Sequence, residues 1–314
     1  MVQANAASTA LVHVFPELND HRIWIGVIAA IFIGLVIIGG IKSIANVADK
    51  LIPFLAVIAI ISSIAIILGS ITYVPYAFGL IFRGAFSGES LTGGIAGVAV
   101  MYAIRLGLQR GIFSNEAGLG SGPIAYSASR TDNPVKPALW GSFEVFLDTH
   151  VMCTLIALVI LTQVPMSDIL PSFIYQSQGL TGAPLVIQSY QNSFLGPQFG
   201  GWLMAILIAT FGFTTVIGWS YVGEKCFEYL LGPVWGLKLR IFYRVLVLPI
   251  AIFGAYGGAS MIWAIADVLN AFMAIPNIIA ALILSGTTVK ILNNYFEGKK
   301  YVPLKDSYGY DELQ

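Results

Sequence analysis

The chain is short of charge. Only 10% of its 314 residues are Asp, Glu, Lys or Arg, against about 25% in ordinary soluble domains. Its 16 basic and 16 acidic residues cancel, so no excess of one sign points to nucleic acid or to an acidic partner. Histidine and cysteine are scarce as well. Cys153 and Cys226 lie far apart, which gives neither metal-ligand spacing nor a disulfide framework. Residues 1–21 lack the basic segment of a secretory signal and hold Glu17 and Asp20 instead.

What fills the chain is apolar sequence. Hydrophobic residues make up 57% of it, and the mean hydropathy is +0.82. No charge occurs between Arg22 and Lys42, Lys50 and Arg83, Asp168 and Glu224, Arg244 and Asp267, or Asp267 and Lys290. A helix crossing a bilayer needs about 20 apolar residues, and a mid-bilayer charge costs about 2.5–3.5 kcal/mol on insertion scales. These gaps therefore predict an all-α membrane protein. They fit about seven spans, at 23–41, 53–76, 95–130 (interrupted), 139–163, 200–223, 245–259 and 261–289. The 245–259 span is short and could begin near Lys238.

Basic residues suggest an orientation. Twelve fall in the links 42–52, 131–138 (with Arg130 at its edge) and 224–244 and in the C-terminal tail; Arg22 and Arg83 are alone on the other side. The positive-inside rule then puts the N-terminus of this chain outside and the C-terminus in the cytoplasm of a multi-pass cell-membrane protein. The link 164–199 becomes external. Trp24, Trp140, Trp202 and Trp263 sit near span ends, as an interfacial belt would.

The third span contains RGIFSNEAGLGSGP, residues 110–123. A continuous helix from 95 to 130 would be about 54 Å long, against a hydrocarbon core of about 30 Å. Gly118, Gly120, Gly122 and Pro123 offer a break. A break frees backbone groups that must be buried in protein or line a wet cavity, and discontinuous helices use such groups to bind anionic and cationic ligands. A glycine-rich turn between two helices is the plain alternative. Glu116 could coordinate a cation, carry a proton, or pair with Arg110 to pin the break; the pairing is favoured. Asn115 could cap the second half-helix.

Other polar residues read as structural. Glu144 and Asp148, four apart, share a helix face, while His150 lies almost opposite Asp148. Asp267 with Asn270 suggests an anchor for the last span. Pro276 should kink that span. A membrane enzyme built on Glu116, Asp148 or His150 is the rival class, but no nucleophile and base converge.

FSNEAGLGSGP closely resembles a signature of the sodium:alanine/glycine symporter family, usually written with Ala where this chain has Gly122. GFTTVIGWSYVGEKCFEYLLG (212–232), ADVLNAFMAIPN (266–277), VIIGGIKSIANVADKLIPF (36–54) and FLDTHVMCTLIALVILT (146–162) resemble that family too. Asp148 and Thr149, in the last of these stretches, match that family, and the resemblance implies a buried contact there. Departures are Gly122, Tyr126, Ser127, Ser129, Glu144 and His150.

The resemblance implies a LeuT-type inverted-repeat transporter fold that couples sodium entry to uptake of a small neutral amino acid, alanine or glycine. Residues 1–80 would be the remainder of an incomplete first repeat, 81–291 the second repeat and 292–314 a cytoplasmic tail. MVQAN resembles an internal segment of the family, so a missing N-terminal portion of the same protein, or a split or inactive fragment, is expected. The resemblance places substrate against Leu119, Gly120, Ser121, Ile124 and Ala125, with Asn115 beside them. It places sodium (Na+) at the Phe211 carbonyl and the Thr214 and Thr215 hydroxyls, with further oxygens from the absent segment.

Overall fold

A computed structural model describes residues 1–86, 94–116, 118–163, 181–299 and 301. The acidic end DSYGYDELQ lies outside them. The described residues form helices: α1 (Val2–Val14), α2 (Arg22–Ile37), α3 (Gly40–Gly69), α4 (Val74–Phe86), α5 (Gly94–Asn115), α6 (Ser121–Tyr126), α7 (Val135–Gln163), α8 (Ala183–Gln191), α9 (Pro197–Gly232), α10 (Val234–Tyr256) and α11 (Ala259–Phe296).

Six of these are long and apolar enough to cross a membrane: α2 with its leading turn, α3, α7, α9, α10 and α11. The expected count of seven falls by one because the interrupted segment does not qualify. Arg105, Gln109 and Arg110 dilute α5, and the break follows at Glu116. Several ends also move. The chain turns at Ile38–Gly39, so Lys42, Asp49 and Lys50 lie on α3 rather than in a loop. The link expected over 224–244 is helical except at Gly232, whose φ of 74° and ψ of 173° break the run. No residue with a Cβ adopts that conformation readily, and α10 accordingly starts at Val234. Charged residues at helix ends, outside the hydrocarbon, do not end a helix; charge-free gaps mark the apolar part only.

The N-terminal stretch, read as lying outside the spans, is helical. Asn5 of α1 donates from Nδ2 to the carbonyls of Gly254 and Gly257, at 3.1 and 2.8 Å. A Cβ on Gly212 would sit 3.0 Å from the Gln3 carbonyl oxygen. Small residues at such crossings let backbones approach closely, as between membrane helices.

Packing centres on α9. Met204, Ala205 and Leu207 pack with Leu55, Ala59 and Ile66 of α3, Leu158 and Val159 of α7, and Ile187 and Tyr190 of α8. Further along, Ile217 and Tyr221 pack with Ile33 and Ile37 of α2. The Tyr190 hydroxyl lies 2.8 Å from that of Ser63, so part of the expected external link is folded against the core. The outward faces stay apolar: Leu35, Phe54, Phe272 and Ile283 are all exposed, the pattern expected where lipid replaces water.

Candidate functional site

The helix break expected near 118–123 begins slightly earlier. α5 ends at Asn115, and α6 starts at Ser121. Glu116 has φ 54°, the only positive φ on a non-glycine among the described residues. The left-handed region costs an L-residue roughly 1–2 kcal/mol, so something must hold Glu116 there. Its carboxylate does: Oε1 accepts the indole N–H of Trp219 at 2.9 Å, and Oε2 accepts the Ser121 hydroxyl. The expected pairing with Arg110 is not formed. Arg110 instead bonds Asp267 of α11 at 3.0 Å and lies 4.0 Å above the Trp263 ring. Trp263 is thus a packing partner of the broken segment. Asp267 anchors α11, as expected.

Gly120, with φ 82°, occupies the cap position of α6, and no side chain caps that helix. Asn115 therefore does not cap it. Asn277 of α11 closes over the break. It donates to the Gly118 carbonyl at 3.0 Å, and its Oδ1 would lie 2.8 Å from a Cβ at Gly120. Gly120 is required twice, by its φ and by this approach. Gly122 and Pro123, expected to help break the helix, lie inside α6; proline near a helix start loses no bond that was available.

Leu119 and Ser121 are buried, Ile124 and Asn115 are half-buried, and Ala125 is exposed. α6 starts at Ser121 without a side-chain cap, and a helix start is where a carboxylate can be received.

α7 braces both sides of the break. The Ser114 hydroxyl donates to Asp148 at 2.6 Å, and the Tyr126 hydroxyl donates to Glu144 at 2.5 Å. The two carboxylates on one face thus hold the last residues of α5 and α6. The Asp148 contact is exposed, not buried. Beyond Glu144, and including Asp148, α7 widens into a π-helical stretch, Phe146–Met152, a feature frequent at functional sites. His150 stacks on Phe146, 5.4 Å between centroids. Tyr126 and Glu144, both read from the sequence as departures, are partners. A Cβ on Gly141 would lie 2.7 Å from the Tyr126 ring.

On α9, Thr214 and Thr215 both donate to the Phe211 carbonyl, at 2.9 Å each. This is the back-bonding common to threonines in membrane helices, and it also gathers three hard oxygens in one place. Hydroxyl and carbonyl oxygens suit a hard monovalent cation, and sodium would need more ligands than these three. Among the described residues no cluster of His, Cys, Asp or Glu suited to a metal occurs. Trp219, which holds Glu116, lies one turn beyond Thr215 on the same face.

Trp219 and Asn277 were not singled out in sequence, although both lie in the motif stretches around Gly218 and Pro276. Their presence inside two motifs far from the third was the available signal. Three distant stretches, 110–123, 212–232 and 266–277, thus meet at the break.

Comparison with known proteins agrees with that convergence. The sodium/alanine symporter AgcS of Methanococcus maripaludis is 40% identical over 300 residues, covering 96% of this chain and 62% of its own length. An uncharacterized transporter of Haemophilus influenzae is 35% identical over 311 residues, 99% of this chain and 64% of its own. A probable sodium/glutamine symporter, GlnT of Bacillus subtilis, is 37% identical over 299 residues, 95% of this chain and 58% of its own. The chain spans about three-fifths of the length of these relatives. The profile of the sodium:alanine symporter family matches residues 1–307. Three motif stretches that meet at one broken helix, inside a match that runs nearly end to end, make this chain a member of the sodium:alanine symporter family.

Proposed function

We propose that this chain serves sodium-coupled symport of a small neutral amino acid, alanine or glycine, across the cell membrane by alternating access. The observation that carries the reading is the break itself. Glu116 is held in a strained conformation by Trp219 and Ser121, while Asn277 holds the Gly118 carbonyl. A broken membrane helix needs such partners, and its half-helix ends are where transporters bind.

In this reading the substrate carboxylate meets the N–H groups near Gly120 and Ser121. Leu119, Ile124 and Ala125 form an apolar wall that suits a methyl group or none, with Asn115 beside it. Sodium sits at the Phe211 carbonyl and the Thr214 and Thr215 hydroxyls, displacing the two hydrogen bonds now made there. The fold is of the LeuT type: residues 1–80 belong to the first inverted repeat, 81–291 form the second, and 292–314 are a cytoplasmic tail.

The N-terminus of the chain is outside and its C-terminus cytoplasmic. Two observations support grouping the basic links on one side. Residues 38–42 line one cavity together with Tyr221, Glu224, Lys225, Arg240 and Arg244, and the start of α7 contacts α11. Links assigned to the same side are thus neighbours.

The test is uptake of labelled alanine into liposomes carrying the protein, with sodium, lithium or potassium outside. Uptake driven by sodium supports the reading. Uptake equal in all three salts rejects sodium coupling, and sodium-driven uptake of glutamine but not alanine rejects the substrate class.

A further inference from the structure

A cavity of about 560 Å³ lies at the end of α2, the start of α3 and the facing ends of α9 and α10. Four cations line it, Lys42, Lys225, Arg240 and Arg244, with Glu224 as the only lining carboxylate. Glu224 is consumed: it accepts Nε and Nη2 of Arg244 at 2.6 and 2.7 Å. Arg244 also donates to the Ile38 carbonyl at 2.9 Å, so its guanidinium is fixed in the wall. Lys225 pairs with Glu228 at 2.6 Å. Lys42 and Arg240 have no ion-pair partner among the described residues.

The backbone adds to this field. Gly39 is the cap residue of α3, and no side chain caps the helix. Gly39, Gly40, Ile41 and Lys42 all line the cavity, so the positive end of the α3 dipole borders it. Two unpaired cations, a fixed guanidinium and an uncapped helix start therefore share one concave site. Its volume is in the range of small-ligand pockets.

The flanks are apolar. Ile41, Leu237, Ile241 and Phe242 are exposed close to Lys42 and Arg240 in the chain. A soluble anion gains nothing from such flanks, whereas a lipid's acyl chains do. Basic pockets between membrane helices at the membrane surface are matched to anionic headgroups.

We propose that this cavity binds the phosphate of an anionic phospholipid headgroup, held by Lys42, Arg240 and the α3 amides, with the acyl chains along α10. Bound there, the lipid bridges the α2–α3 turn and the α9–α10 hairpin.

The test is the thermal midpoint of the detergent-solubilised 314-residue chain, titrated with phosphatidylglycerol, phosphatidylcholine or inorganic phosphate. The expected result is saturable stabilisation by phosphatidylglycerol alone. Replacing Lys42→Gln and Arg240→Gln together should weaken that titration about 30-fold, roughly five-fold for each cation, while Lys42→Arg with Arg240→Lys should retain it. Lys238→Gln, on the same helix but outside the cavity, should leave it unchanged. Equal weakening by Lys238→Gln would mean a diffuse surface effect and overturn the site. Matching stabilisation by inorganic phosphate would overturn the lipid assignment, and no preference for phosphatidylglycerol over phosphatidylcholine would overturn both.

Discussion

The indole N–H of Trp219 and the carboxylate of Glu116, 103 residues apart, meet at 2.9 Å. The bond ties the middle of an unbroken helix, α9, to the one non-glycine residue with positive φ among the described residues. A hydrogen bond to a charged group is worth about 1.5–3 kcal/mol, comparable to the roughly 1–2 kcal/mol that the left-handed conformation costs. Trp219→Phe removes the donor and keeps most of the ring. It should lower sodium-dependent uptake at least about ten-fold, since 1.4 kcal/mol is already ten-fold. The amount of folded protein in the membrane should stay unchanged, as checked by fluorescence size exclusion beside the uptake assay.

Two neighbouring glycines should behave differently. Gly120→Ala meets Asn277 at 2.8 Å and must adopt φ 82°, so uptake should be lost. Gly122→Ala finds its nearest neighbour, Tyr126, at 3.4 Å and lies inside α6. It should be neutral, or stabilising by up to about 1 kcal/mol. Uptake and thermal unfolding of the two variants, measured together, check the contrast.

Gly141→Ala should drive its methyl group into the Tyr126 ring, 2.7 Å away, and lower stability by about 1–3 kcal/mol. Adding Tyr126→Ala should remove much of that cost. Residues in contact show coupling of about 0.5–3 kcal/mol, so a thermal-shift double-mutant cycle reads the pair directly. Simple additivity would place the two residues apart.

Glu224 and Arg244 form a buried pair, each less than a tenth exposed. Glu224→Ala leaves the guanidinium without its partner, which typically costs about 3–5 kcal/mol. The thermal midpoint of the variant should fall well below that of Lys136→Gln, whose pair with Asp132 is solvent-exposed and should matter little.

The sequence made the helical, membrane-spanning character legible because charge is excluded from hydrocarbon wherever it would lie. It also located the break, since glycines crowd where a helix must stop. It could not choose partners. Arg110 had Glu116 nearby in sequence and bonds Asp267, 157 residues away; nothing local favours the distant carboxylate, and only the approach of α11 does. Tyr126 and Glu144 were each noticed as departures, yet their pairing depends on how α7 lies beside α6. Helix ends were misplaced where charged residues continue a helix beyond the apolar stretch, as at Lys42 and Lys225. Hydropathy did not mark the helix at 2–14, because its polar residues, such as Asn5 and Ser8, are buried against other helices.

The most direct test of sodium coupling at the threonine pair is the dependence of alanine uptake on external sodium, in the wild-type protein and in Thr214→Val with Thr215→Val. Both hydroxyls converge on the Phe211 carbonyl at 2.9 Å. If they ligate sodium, their loss should raise the half-saturating sodium concentration at least about ten-fold, while the amount of folded protein is unchanged. Sodium dependence identical to wild type would mean that these hydroxyls only bond the helix backbone, and the sodium site would have to lie elsewhere.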